Sequence, residues 1–324
     1  MTEGNCFAQQ EGKEATEPQK VDLWPILHVR PTTLLEFLDR TFTFWQRHWR
    51  PLLILGFMGV LPTTLVNVFA WQMAPANQDA LETHIIAMLP YYLVAMLLEV
   101  WPIATIFSLT RSQYLAPERS GDWGGHFLYV MRRLPSLILV LIFYFGLIML
   151  GLSVVTGFLG AADQNAWAFP AALFLMGILI YWGLSWLLVV PIVVSGTDHA
   201  LSAFGQSARN MHARFHRNWW RDNAYWRALL ILVFWIGMRA AGLLVIRLLY
   251  LLAAGRWVGF ATLDPQFLLV QSLSDCVISA FAVSWLAVAL MLLYVETDIR
   301  AEGLDLKIRL LKLVSPSWFQ ESED

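Results

Sequence analysis

An all-α, polytopic integral membrane protein with six transmembrane helices is the fold this sequence predicts, and three observations carry that expectation. Of 324 residues, 58% are hydrophobic and 14% charged, against about 45–50% and about 25% in soluble domains. Several charge-free stretches reach the length of about 20 apolar helical residues that a hydrocarbon core of about 30 Å demands. The basic residues crowd into alternate connections between those stretches, as the positive-inside rule requires. Together with a mean hydropathy of +0.56 and 16 tryptophans, this composition excludes an ordinary soluble enzyme, a disordered chain and a nucleic-acid-binding domain. A net charge of −2 offers no basic field to draw in DNA or RNA.

Taken in order, residues 1–31 read as a disordered cytosolic tail. They hold Glu3, Glu11, Glu14 and Glu17 and no apolar core, so no cleavable leader is expected. Residues 32–50 place Leu34, Leu35, Leu38, Phe42, Trp45 and Trp49 on one helical face, opposite Arg40 and Arg47. The six spans follow at about 52–73, 86–109, 135–159, 170–195, 228–253 and 272–295. Between the fourth and fifth, residues 198–221 repeat the amphipathic pattern with Leu201, Phe204, Ala208, Met211 and Phe215, and residues 124–133 form a shorter version. Basic amphipathic helices of this kind lie in the headgroup plane. The division expected is a tail at 1–31, a membrane domain at 32–297 and a cytosolic tail at 298–324.

Nineteen of the 22 Lys and Arg residues fall before the first span, after the second, after the fourth or after the sixth. Both termini are therefore expected in the cytoplasm, with short outer loops. The string Trp49–Phe57 matches Trp226–Phe234 at seven of nine positions, and Arg133–Leu139 is a weaker third copy. A threefold unit of interfacial helix plus helical hairpin is the candidate repeat.

Four ionisable residues stand inside the apolar spans: Glu99, Arg239, Arg247 and Asp275. A charge at mid-bilayer costs roughly 2.5–3.5 kcal/mol on insertion scales, so such groups face inward and pair. Estimated depth couples Glu99 with Arg239 and Asp275 with Arg247. Two readings stand for them: an ion, proton or lipid-headgroup site, or a clamp fixing the fifth span against the second and sixth. Pro102 and Pro191 lie inside the second and fourth spans and read as packing kinks or as breaks lining a substrate site. Gly237 and Ala241 have the small-xxx-small spacing that lets helices approach closely.

No metal or cofactor is expected. His212 and His216 are four apart, a metal-compatible spacing, but no carboxylate or cysteine completes the set and arginines surround it. Arg209, Arg214, Arg217 and Arg221 instead suggest a basic helix facing anionic lipid or a partner. Cys6 and Cys276 have no partner at metal or redox spacing. Gly-x-Ser-x-Gly, His-Glu-x-x-His and phosphate-loop motifs do not occur, so the chain is not expected to be an enzyme.

Three segments carry a family resemblance: Leu38–Phe42 running to His48–Leu52, then Pro191–Val194 with Ala200, Leu201, Ser207 and Trp226–Leu229, and finally Tyr294–Leu306. In the last, Asp298, Arg300, Glu302, Gly303 and Asp305 stand at the positions of a C-terminal motif. The chain resembles a family of bacterial six-helix membrane proteins similar to the membrane domain of glycerophosphoryl diester phosphodiesterases. The resemblance implies that architecture without the catalytic barrel, the inner membrane as location, and partners that include other membrane proteins and an AAA+ ATPase. The function expected is a non-enzymatic inner-membrane subunit or scaffold. The alternative is a small-solute or lipid transporter with an intramembrane Glu/Arg site.

Overall fold

The computed structural model describes residues 33–72, 78–115, 123–161, 165, 167–196, 200–212, 223–254 and 265–301. The expected tail at 1–31 lies outside them, as do Cys6, Arg214, His216, Arg217, Arg221, Glu302, Gly303 and Asp305. All regular elements in the described residues are α-helices: α1 (Leu34–Arg47), α2 (Trp49–Gln72), α3 (Gln78–Leu115), α4 (Trp123–Gly160), α5 (Ala168–Ser185), α6 (Val189–Ser195), α7 (Ser202–Met211), α8 (Ala224–Ala254) and α9 (Pro265–Ala301). Among the described residues, six stretches are long and apolar enough to cross a membrane: α2, α3, α4, α5 with α6, α8 and α9.

Helix α1 starts at a reciprocal cap. Thr33 Oγ1 accepts from the Glu36 N–H at 3.3 Å, and Glu36 Oε2 accepts from the Thr33 N–H at 2.8 Å. The face that protein covers is only partly the predicted one, since Leu35 and Trp49, expected on the apolar face, are exposed. Phe37, Thr41 and Trp45 are buried. Trp45 Nε1 donates to Ser284 Oγ in α9 at 3.0 Å. Phe42 packs 5.4 Å from the rings of Phe234 in α8 and Trp285 in α9. Helix α7 behaves alike: Ala203, Phe204, Ser207, Asn210 and Met211 are buried, whereas Leu201, expected on the apolar face, is exposed. Residues 124–133, expected as a separate short helix, are the first turns of the continuous α4.

Helix α9 organises the bundle, packing against α1, α2, α3, α6, α7 and α8. Its small residues make this possible, since association in lipid depends on close backbone approach. A Cβ at Gly56 in α2 would overlap the Ala280 carbonyl of α9. A Cβ at Gly242 in α8 would lie 2.6 Å from Ile278 Cδ1. Gly237, the glycine predicted for this role, faces open space. The spacing located the right helix but the wrong face, since Gly237 and Gly242 lie about 140° apart around it.

The fourth span is two helices. Pro191 has no N–H for the Leu187 carbonyl, and its ring crowds the preceding turn. The chain therefore leaves the helix at Ser185 and re-enters it at Val189, with Val189 N bonding the Trp186 carbonyl at 3.1 Å. Ser207 Oγ in α7 donates at 2.7 Å to the Ser185 carbonyl at this break. Pro102, by contrast, lies within an uninterrupted α3.

Candidate functional site

The intramembrane charges are arranged differently from the expected pairs. Arg239 Nη2 donates to Asp275 at 3.1 Å (Oδ1) and 2.9 Å (Oδ2), so Arg239 holds the carboxylate assigned to Arg247. Ser279 Oγ adds a bond to Oδ1 at 3.2 Å, and the Arg239 guanidinium lies 5.7 Å from the Trp235 ring centroid. Arg247, about two turns farther along α8, is half-buried. The Glu99–Arg239 pair does not form. Arg239 is on α8, which packs mainly on α9, and α9 stands between α8 and the α3 that carries Glu99. The Arg239 and Asp275 side chains remain 35% and 28% exposed on the outer face of the bundle.

Glu99 meets no cation among the described residues. Its Oε1 accepts from the backbone N–H of Thr63 in α2 at 3.1 Å, one residue after Pro62. Glu99 also lines a cavity of about 310 Å³ bordered by α3, α4, α9 and the break between α5 and α6. Tyr144 is the other polar side chain in that lining apart from the Trp186 indole, and its hydroxyl reaches the Gly183 carbonyl at 3.4 Å.

A second polar layer lies at the arginine-rich end, and sequence reasoning missed its centre. Arg227 is fully buried and donates from Nη1 to Glu296 Oε2 at 2.8 Å, with its guanidinium 5.7 Å from the Phe37 ring centroid. Arg227 counts as a loop cation in a charge tally and Glu296 as part of a tail motif. Asp298 accepts from Asn210 Nδ2 at 3.4 Å and from the Tyr294 hydroxyl at 3.3 Å. The last carbonyls of α6 are satisfied from outside: Val193 by Arg133 at 3.2 Å, Val194 by the Tyr129 hydroxyl at 3.0 Å, and Ser195 by Arg111 at 2.6 Å. Arg111 and Arg133 thus cap a helix, while Arg209 on α7 is exposed. Arg300 belongs to the last turn of α9.

His126 stands between two serines, its Nδ1 3.0 Å from Ser108 Oγ and its Nε2 3.0 Å from Ser112 Oγ. Ser112 gives its proton to the Leu109 carbonyl at 2.9 Å, so it is not poised to pass that proton to the imidazole. His212, the metal candidate, has Nδ1 2.6 Å from the Ala208 carbonyl and Nε2 3.2 Å from the Tyr181 hydroxyl. Among the described residues, no group of three or more His, Cys, Asp or Glu residues is placed to hold a metal ion.

Comparison of the chain with family models, with curated proteins and with solved structures finds no match.

Proposed function

We propose that this chain is a non-enzymatic subunit of the bacterial inner membrane that assembles with other membrane proteins. The observation that carries the reading is the Arg239–Asp275 pair, about one-third exposed on the outer face of the bundle within two spans. Partly exposed charges in hydrocarbon are costly, and such groups normally face a bundle interior or a water-filled cavity. A helix of another membrane protein laid across α8 and α9 supplies that interior. Helix α8 suits the role, because only 6% of its most apolar window is buried, against 72% for α9. Anionic lipid headgroups would meet Arg209 at the basic end, with the termini cytoplasmic. The family resemblance adds an AAA+ ATPase as a candidate partner on that side.

Affinity purification from gently solubilised native membranes, followed by mass spectrometry, tests this. The wild-type chain should bring down a membrane protein in stoichiometric amount. The double variant Arg239→Leu/Asp275→Leu should accumulate normally, since replacing an ion pair by apolar residues is often neutral or stabilising, yet lose that partner. A wild-type chain that purifies alone, or a double variant that keeps its partner, overturns the reading. The Glu99 cavity favours a second reading, a site for a small solute or lipid.

A further inference from the structure

The Glu99 cavity combines features that together select a ligand class. Its volume of about 310 Å³ sits at the lower end of small-molecule pockets. Leu187, Val190, Leu286 and Leu290 contribute to a wall that is almost wholly apolar. The charged group offered to an occupant is an acceptor, the Glu99 carboxylate, and the Trp186 indole adds one N–H donor. The Glu99 carboxylate accepts from the Thr63 N–H through Oε1 and also from the Thr63 side chain, and it keeps further acceptor capacity. The Tyr144 hydroxyl is directed at Gly183. An uncompensated carboxylate at this depth calls for a cation, and an apolar wall calls for a hydrocarbon body.

We propose that this cavity binds a primary aliphatic amine, with its ammonium on Glu99 and its chain along α4 and α9. The site takes a lipophilic cation, and it discriminates against an alcohol or carboxylate of the same chain length. An alcohol brings no charge, and a carboxylate repels Glu99. The inference rests on the solute-site reading of this cavity and is independent of the assembly reading. An amine that binds without being carried across the bilayer would leave the site standing and remove transport.

The test uses the full chain in nanodiscs of zwitterionic lipid, with dodecylamine and dodecanol as probes at equal membrane fraction. Binding is read by thermal unfolding and by retention of radiolabelled probe. The wild type should hold about one dodecylamine per chain and prefer it to dodecanol by about tenfold or more, the worth of one charge-assisted hydrogen bond. Glu99→Gln should abolish the preference while remaining folded. Leu286→Trp, which fills the cavity and leaves Glu99 in place, should abolish binding of both probes. Equal affinity of the wild type for the two probes overturns the proposal, and that arm decides even if a variant fails to fold. A preference that survives Glu99→Gln, or binding that survives Leu286→Trp, overturns it as well.

Discussion

Trp49–Phe57 in α2 and Trp226–Phe234 in α8 share seven of nine residues, yet they turn different faces inward. Both tryptophans are exposed. Beyond them the patterns part. Arg50 is exposed, whereas Arg227 is fully buried; Leu52 is buried, whereas its counterpart Leu229 is exposed; Ile54 is 55% exposed, whereas Ile231 is fully buried. In α2 the inward face is the one carrying Gly56, where the backbone of α9 comes close. In α8 it is the one carrying Arg227, which meets Glu296, and Ala228 and Ile231 follow it inward. A helix apolar all round has no stripe to orient it. A small residue or a polar partner does so instead, and neither is visible in a match of apolar letters.

The comparison breaks most sharply at its arginines. Arg227→Ala removes a buried ion pair to Glu296 and should cost about 3–5 kcal/mol, while Arg50→Ala should stay within about 0.5 kcal/mol. Thermal unfolding in detergent, followed by tryptophan fluorescence, reads both. Arg227→Leu combined with Glu296→Leu should recover most of the loss. The isoleucines come next: Ile231→Ala should cost about 2 kcal/mol through the cavity it leaves, and Ile54→Ala almost nothing. Equal losses at the two positions would contradict the assignment of buried faces.

The smallest effect belongs to His48, one residue before the first of the two strings. Burial, with the Arg47 charge adding to it, holds this imidazole below its ordinary value of 6.5. The folded chain therefore favours the neutral ring, and the unfolded chain binds more protons between the two values. Stability from His48 is fully present above about pH 6.5 and is lost as pH falls toward the folded value. Melting temperatures measured from pH 8 to pH 5 should fall on the acid side, and His48→Gln should flatten that fall.

The six spans were legible because length and apolarity are local properties, and the ends fell within several residues for α2 and α8. Less was legible at the ends of α3, α4 and α9, which run on past the apolar stretch into Gln78–Leu115, Trp123–Gly160 and Pro265–Ala301. The break before Pro191 was marked in the sequence by the proline itself; what closes it, Ser207, was not. The four intramembrane charges were found from composition and mispaired from depth. Depth says how high a group sits, but not which helix stands between it and its supposed partner. Arg227 and Glu296 were missed as a pair because each sits where charge is cheap in a linear reading, at the end of an apolar run.

Helix α9 follows in the chain every helix it packs against. Membrane proteins are made from the N-terminus, and spans insert before they associate. The surfaces of α2, α3 and α8 that meet α9 thus enter the bilayer with their eventual partner still unmade. Gly56, Trp45 and Arg227 each wait for a contact that arrives last. Until then lipid or an insertion factor must hold them, and Arg227 spends that interval without Glu296. A ribosome stalled before Leu269 would leave five spans anchored without the helix that packs against six of the others, so the vulnerable moment of this protein comes at the end of its synthesis.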